Sequence, residues 1–250
     1  MATLRSDQGA TLVVFARVDQ QDTPSATRVL RRALVLDADG YEAPIFSVDG
    51  RHLAIRGNAY ENSLSVFEFP SLDRILETTL GQPCPGYPYP QEWLEQLYSW
   101  SRHNIAFGTR PGVLWVGTPT GTLIEIDLDN QKSTEHDVPA GSRVTAMTAT
   151  ATGELVVATA EGDLAVLSVH AGTDQVEPTD RDSVRALVTA FSDSTDELPD
   201  DSDLDTDLFR TDGTRSWAPD DLAAVTTTTS TDPTWRQLQA AMNNARNEEK

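Results

Sequence analysis

Apolar residues fall along the first two thirds of this chain in short runs, many with a period of two, cut by polar turns that contain glycine. The stretch "FSVDGRHLAI", Phe46 to Ile55, shows the unit: two apolar runs around Asp49-Gly50. Alternation at this period, with β-branched enrichment and Gly-rich breaks, predicts strands joined as hairpins. The turn recurs. Gly9, Gly50, Gly112 and Gly153 each precede an apolar run and stand 41, 62 and 41 residues apart. "ATLRSDQGATL" from Ala2 and "APIFSVDGRHL" from Ala43 share Ala, Ser, Gly and Leu in one ungapped frame, and "VLWVGTPTGTLIEI" from Val113 matches "ELVVATAEGDLAVL" from Glu154 without gaps. A glycine at such a turn supplies positive φ. "GTPTGT", Gly117 to Thr122, lacks the Lys-Ser/Thr ending of a phosphate loop and lies between strands, so it too is turn chemistry.

The second unit holds four runs, "APIFSV", "HLAIRG", "LSVFEF" and "RILETTL", which is four strands in roughly 41 residues, the length of a propeller blade. One such sheet cannot bury both faces alone, so successive sheets are expected to stack around an axis. "FSVDGRHLAI" followed by "SLSVFEFPSLDRILETTLG", Ser63 to Gly81, resembles the WD-repeat β-propeller family: a hairpin, a third strand and a fourth. The family's Gly-His pair is missing, and Phe67-Glu68 and Ile126-Asp127 stand where it carries Trp-Asp. The resemblance implies an all-β, propeller-like stack of about four four-stranded blades over 1–180, at about 2–42, 43–81, 104–142 and 143–180. Closed ring, open arc, and ring completed by a second copy or another chain are all left open at this point.

Two regions depart from strand language. Between the second and third blades, 82–103 reads as a Pro-rich stretch and then a short amphipathic helix, with Trp93, Leu94, Leu97, Tyr98 and Ser101 at helical spacing. Of the ten Trp and Tyr residues in the chain, Tyr87, Tyr89, Trp93, Tyr98 and Trp100 lie here. Aromatics on a loop of a rigid scaffold suit a partner contact, or they pack the helix onto the blades. After the last blade, 181–192 reads as a capped helix with Val184, Leu187, Val188 and Phe191 on one stripe. An acidic, largely disordered linker is expected over 193–231, and an amphipathic helix over 232–250 with Trp235, Leu238, Met242 and Ala245 on one face.

Composition narrows the chemistry. Acidic residues outnumber basic ones 39 to 19, a formal charge of −20, which disfavours nucleic acid and anionic membranes as partners. Only Lys132 and Lys250 are lysines, a skew expected of a GC-rich bacterial genome. Cys84 is the single cysteine, with no second Cys or His nearby to make it a ligand or nucleophile. No signal-peptide core and no spanning apolar run is seen, so a cytoplasmic protein is expected. Asp201, Asp203, Asp205 and Asp207 alternate as in a calcium loop, but Thr206 and Asp212 occupy the positions that need Gly and Glu. No metal, cofactor or catalytic residue is assigned. His52, His103, His136 and His170 form no metalloprotease pair and no nucleophile elbow.

These readings converge on a non-catalytic scaffold that binds other proteins, or its own second copy, through the rim and a tethered C-terminal helix. The candidate contacts are Tyr87, Tyr89, Trp93, Tyr98, Trp100, Trp235, Leu238 and Met242. The alternative is a ligand sensor or an enzyme with its site in the central channel.

Overall fold

The computed structural model describes residues 2–7, 10–18, 29–36, 38–40, 42–57, 61–108, 110–137, 141–150, 153–169, 181–194, 209–211 and 216–217. Four sheets follow one another along the chain, antiparallel between consecutive strands. The first holds β1 (Ala2–Asp7), β2 (Ala10–Val18) and β3 (Val29–Leu36). The second holds β4 (Ile45–Phe46), β5 (His52–Arg56), β6 (Ser63–Glu68) and β7 (Arg74–Thr79). Helix α1 (Gln91–Ser99) precedes the third sheet, β8 (Ile105–Phe107), β9 (Val113–Gly117), β10 (Thr122–Asp127) and β11 (Lys132–Asp137). The fourth holds β12 (Val144–Ala149), β13 (Glu154–Thr159) and β14 (Leu164–Ser168). Each strand in sheets two to four pairs with its sequence neighbour, and the sheets stack face to face as propeller blades do.

The period of two explains how the stack is built. Successive strand residues point to opposite faces, so an inner sheet feeds two cores at once. On β5, Leu53 and Ile55 enter the core shared with the first sheet, while Ala54 enters the core shared with the third. On β9, Leu114 and Val116 turn back to the second sheet and Val113 and Trp115 forward to the fourth. The fourth sheet has Leu155 and Val157 in the last of these cores. Its other face carries Leu164 and Val166, 74% and 65% exposed. Among the described residues, three cores join four sheets and none joins the fourth sheet to the first.

The turn at Asp49-Gly50 joins β4 to β5, with Gly50 at φ +71°. A Cβ there would meet Val184 and Leu187 at 3.6 and 3.8 Å, because α2 (Arg181–Ser194) lies across this turn. Phe191 of α2 is buried, its ring 4.9 Å from that of Phe69, which in turn meets Phe46 edge-on at 5.4 Å. The helix predicted from the 3.6-residue stripe therefore seals the junction of the first two sheets, and it runs to Ser194 rather than stopping at 192.

Besides the end of α2, the linker expectation for 193–231 is corrected at two short strands: β15 (Phe209–Thr211) pairs parallel to β3, and β16 (Ser216–Trp217) pairs with β15, making the first sheet five-stranded. Each strand carries a single aromatic residue, Phe209 or Trp217, which the acidic composition of the region conceals. The rest of that stretch, the Asp201–Asp207 run and the helix expected over 232–250 lie outside the described residues.

One polar cluster is buried in this apolar frame. Arg56, Asn62 and Asn104 are 3%, 3% and 0% exposed. The guanidinium has five N–H donors, and five acceptors surround it. Nε donates to Asn104 Oδ1 at 3.1 Å, Nη1 to the carbonyls of Gly57 and of Ser63 (3.0 Å), and Nη2 to Asn62 Oδ1 at 2.9 Å and the Ser101 carbonyl at 3.4 Å. The two amides pass the bonds on: Asn104 Nδ2 donates to the Gly117 carbonyl at 2.7 Å and Asn62 Nδ2 to the Leu97 carbonyl at 3.0 Å. One side chain thus ties together the second sheet, the end of α1 and the third sheet. Burial lowers the Arg56 pKa to about 10, which leaves it charged at neutral pH.

Replacing Arg56 with Ala strands several buried acceptors and is expected to cost at least ~3 kcal/mol, a fall in melting midpoint of roughly 6–12 °C for a domain of this size. Arg56→Lys should recover little of it, since an ammonium has three donors and no planar fork. Thermal melts of both variants check this.

Candidate functional site

The insertion between the second and third sheets is the segment the sequence marks for function. After β7, Gly81 adopts φ +85° and the chain runs without helix or strand, turning again at Gly86 (φ +84°), to Pro90, which caps α1 in extended geometry. The structure divides the five aromatics into two groups. Trp93 is 4% exposed, and its indole N–H donates to the carbonyl of Pro83 at 3.0 Å, with that of Gln82 at 3.3 Å. Trp100 is half-buried against the core between the second and third sheets. The tyrosines face out: Tyr87 is 89% exposed, Tyr98 74% and Tyr89 40%. Tyr87 meets Tyr89 edge-on at 5.9 Å, and Tyr89 leans on Trp93 at 5.3 Å, so the exposed rings continue a ladder that starts in the interior.

The expectation that Tyr98 shares the packed face with Trp93 is corrected. Five residues along a helix turn it through about 500°, which puts Tyr98 about 140° round from Trp93. Leu94 and Leu97, between them, are half-buried.

The insertion is fastened at several points. Asn62 holds the Leu97 carbonyl and Arg56 the Ser101 carbonyl. Glu61 accepts from the Thr79 hydroxyl at 2.6 Å and from the Cys84 backbone N–H at 2.8 Å. The Ser101 hydroxyl donates to the Thr145 carbonyl, and Met147 N–H to the His103 carbonyl at 2.9 Å, which carries the attachment to the fourth sheet. Trp235, Leu238 and Met242, the other predicted contacts, lie outside the described residues.

The histidines sit apart in chemistry. His52 is buried, its ring stacked 6.4 Å from Phe107, and its Nδ1 has no hydrogen-bond partner among the described residues. His103 is exposed, 3.8 Å from Glu42. His136 Nε2 lies 2.8 Å from Glu125, whose other oxygen accepts from Arg110. This trio and the Trp115 ring, 5.3 Å from His136, line a cleft of about 330 Å³ between the third and fourth sheets. Among the described residues no group of His, Cys, Asp and Glu is placed to hold a metal ion, and no helix is long and apolar enough to cross a membrane.

Two features escaped the sequence reading. One is the buried Arg56 cluster; its only signal is an arginine closing an otherwise apolar strand, "HLAIR". The other is a groove of about 480 Å³ between β7 and the pair β10–β11, with Trp100 among its lining residues. It is made by residues 75–81 and 124–133, which only the stacking of two sheets brings together.

No protein-family model matches this chain, and no curated protein matches it in sequence. Among solved structures it is similar to BamB from Moraxella catarrhalis, with a TM-score of 0.38 at 11% identity, over 69% of this chain and 45% of that one. It is also similar to a catalytically inactive virginiamycin B lyase from Staphylococcus aureus solved with quinupristin, with a TM-score of 0.35 at 16% identity, over 68% of this chain and 56% of that one. The chain spans about half the length of either structure.

The division of the aromatics has a measurable consequence. Trp93→Ala should lower stability by ~3–5 kcal/mol, whereas Tyr98→Ala should stay within ~0.5 kcal/mol of the native chain, both read by denaturant unfolding. A pH effect follows from His52. Burial, partly opposed by Asp49, holds its pKa below the ordinary 6.5; Arg51 lowers it further, while Asp129 and Glu68 raise it. The unfolded chain then binds a proton that the folded chain refuses, so the His52 contribution to stability is lost as pH falls below 6.5. His52→Phe should flatten that part of the unfolding profile while keeping the stack on Phe107.

Proposed function

We propose that this chain is a non-catalytic scaffold for protein–protein interaction, which presents the tyrosine patch of its insertion to a partner and uses the C-terminal segment with Trp235, Leu238 and Met242 as a tethered second contact. The observation that carries the reading is the pairing of exposure with rigidity. Tyr87 and Tyr98 are almost fully solvated, yet the segment bearing them is fastened to the second sheet by Asn62, Arg56 and Glu61. Tyrosine offers a large amphipathic contact area, and a patch held in place before binding loses less entropy on association. The net charge of −20 supports a protein partner over nucleic acid or an anionic membrane. The bare face of the fourth sheet at Leu164 and Val166 supports a second mode of association, with another copy or another chain.

A channel sensor or enzyme would need converging polar groups free to meet a ligand. The converging buried groups, Arg56, Asn62 and Asn104, instead spend every guanidinium donor on protein acceptors, which favours the scaffold.

Proximity labelling in the native cell tests the reading. The double variant Tyr87→Ala/Tyr98→Ala should fold with an unchanged melting midpoint and lose specific neighbours that the native chain labels. Removal of 232–250 should weaken the same set. An unchanged set of neighbours with the patch removed would overturn the tyrosine assignment. Strong amide protection across Trp235–Ala245 in the isolated monomer would overturn the tethered contact.

A further inference from the structure

The three cores are built to one plan: the forward face of one sheet joins the back face of the next. Val13 joins Leu53 and Ile55, Ala54 joins Leu114 and Val116, and Trp115 joins Leu155 and Val157. The fourth sheet repeats the third in register. Gly117 lies opposite Leu123 and Trp115 opposite Glu125; in the ungapped frame, Ala158 then lies opposite Leu164 and Val156 opposite Val166. Trp115 and Leu123 are buried against the fourth sheet. Their counterparts on the fourth sheet have nothing over them: Val156 is half-buried, and Leu164 and Val166 are 74% and 65% exposed. A sheet face turned to water carries polar side chains, whereas this one sets Val156, Ala158, Leu164 and Val166 side by side. It has the form of a forward face awaiting the back face of a further blade.

One back face in the chain has no sheet before it, that of the first sheet. In the frame that sets Gly9 on Gly50, Leu12 and Val14 stand at the positions of Leu53 and Ile55, the back face of the second sheet. The strand register pairs them with Val35 and Ala33. Charge favours the same match. Residues 1–36 hold five arginines against three aspartates, in a chain of net charge −20, while 144–169 hold Glu154, Glu161 and Asp163 and no base. A fourth sheet on a first is complementary, and a fourth on a fourth is not. Leu164 and Val166 stay exposed, so the chain's own first sheet does not cover them.

We propose that two copies of this chain associate with the fourth sheet of each on the first sheet of the other, closing a ring of eight sheets about a twofold axis. Eight blades lie within the range of closed propellers, and twofold closure leaves no end free to grow a filament. A face of three strands and five residues measures about 240 Å² in plan. One junction covers roughly 500 Å² in plan, short of a stable interface, and the two junctions of the ring cover about 1,000 Å², which side-chain relief raises into the stable range. The proposal rests on the association reading of the bare face given above. The tyrosine patch plays no part in it, so a monomeric chain would remove this proposal and leave the labelling test of the patch standing.

Sedimentation velocity of the full-length chain, from micromolar to near-millimolar concentration, should give twice the mass of one chain and no larger species. Val166→Glu, at a position solvated in the single chain, should keep the circular dichroism spectrum and give the mass of one chain; Thr134→Ala, on the exposed β11, should stay a dimer. Cross-linking then identifies the faces. In a Cys84→Ser background, Val14→Cys and Val166→Cys chains treated with a short bis-maleimide should cross-link when mixed, and neither should cross-link alone. A single-chain mass at every concentration would overturn the proposal, as would open-ended assemblies. Cross-linking of Val166→Cys to itself would place two fourth sheets face to face and overturn the first-sheet assignment, and a dimer untouched by Val166→Glu would move the interface elsewhere.

Discussion

The guanidinium of Arg56 is the constraint on which the placement of the insertion between the second and third sheets depends. A charge buried to 3% exposure is unfavourable unless every donor is met, and here the five N–H groups find oxygens on five different residues. Gly57 and Ser63 belong to the second sheet, Asn62 leads to α1, Ser101 ends the insertion, and Asn104 opens onto the third sheet. The apolar cores hold the sheets face to face but are tolerant of sliding, because hydrophobic contact is non-directional. The polar cluster is directional, and it sets where the insertion sits relative to both sheets.

That placement governs which aromatics are available. With the Leu97 and Ser101 carbonyls anchored, α1 lies with Trp93 inward and Tyr98 outward, and Trp100 lines the groove between β7 and β10–β11. The hydrogen bond from Cys84 N–H to Glu61 holds the stretch ahead of the helix, where Tyr87 meets Tyr89 and Tyr89 leans on Trp93. The result is a rim carrying exposed rings on a stiff support, next to a groove between the second and third sheets. The described histidines His52, His103 and His136 each have a different neighbourhood, an aromatic stack, a carboxylate at 3.8 Å and an Arg–Glu pair.

The ends of the stack differ. The first sheet is covered at its junction with the second by α2, whose Phe191 joins the core. The fourth sheet sends one face into a core and leaves Leu164 and Val166 on the other. Alternation in β13 and β14 is the same as in the inner strands, so these residues are patterned for burial on both faces, as an inner blade would be.

Local chemistry was enough to read the strands, the hairpin turns and both described helices from the sequence, since period, β-branching, positive-φ glycines and helical stripes act within a few residues of one another. The hairpin at Asp49-Gly50 was legible for that reason, and so was the blade-length repeat. The partition of the insertion's aromatics was legible in part: the helical period marked Trp93 for packing, but Tyr98, about 140° away, needed the direction from which the sheets approach. The strands at Phe209 and Ser216 were hidden, because an edge of an existing sheet, and not their own acidic surroundings, makes them strands. The Arg56 cluster and the groove at Trp100 were decided by tertiary structure alone. Each joins residues more than 40 positions apart, and the satisfaction of a buried charge, or the gap between two twisted sheets, exists only after those residues have met.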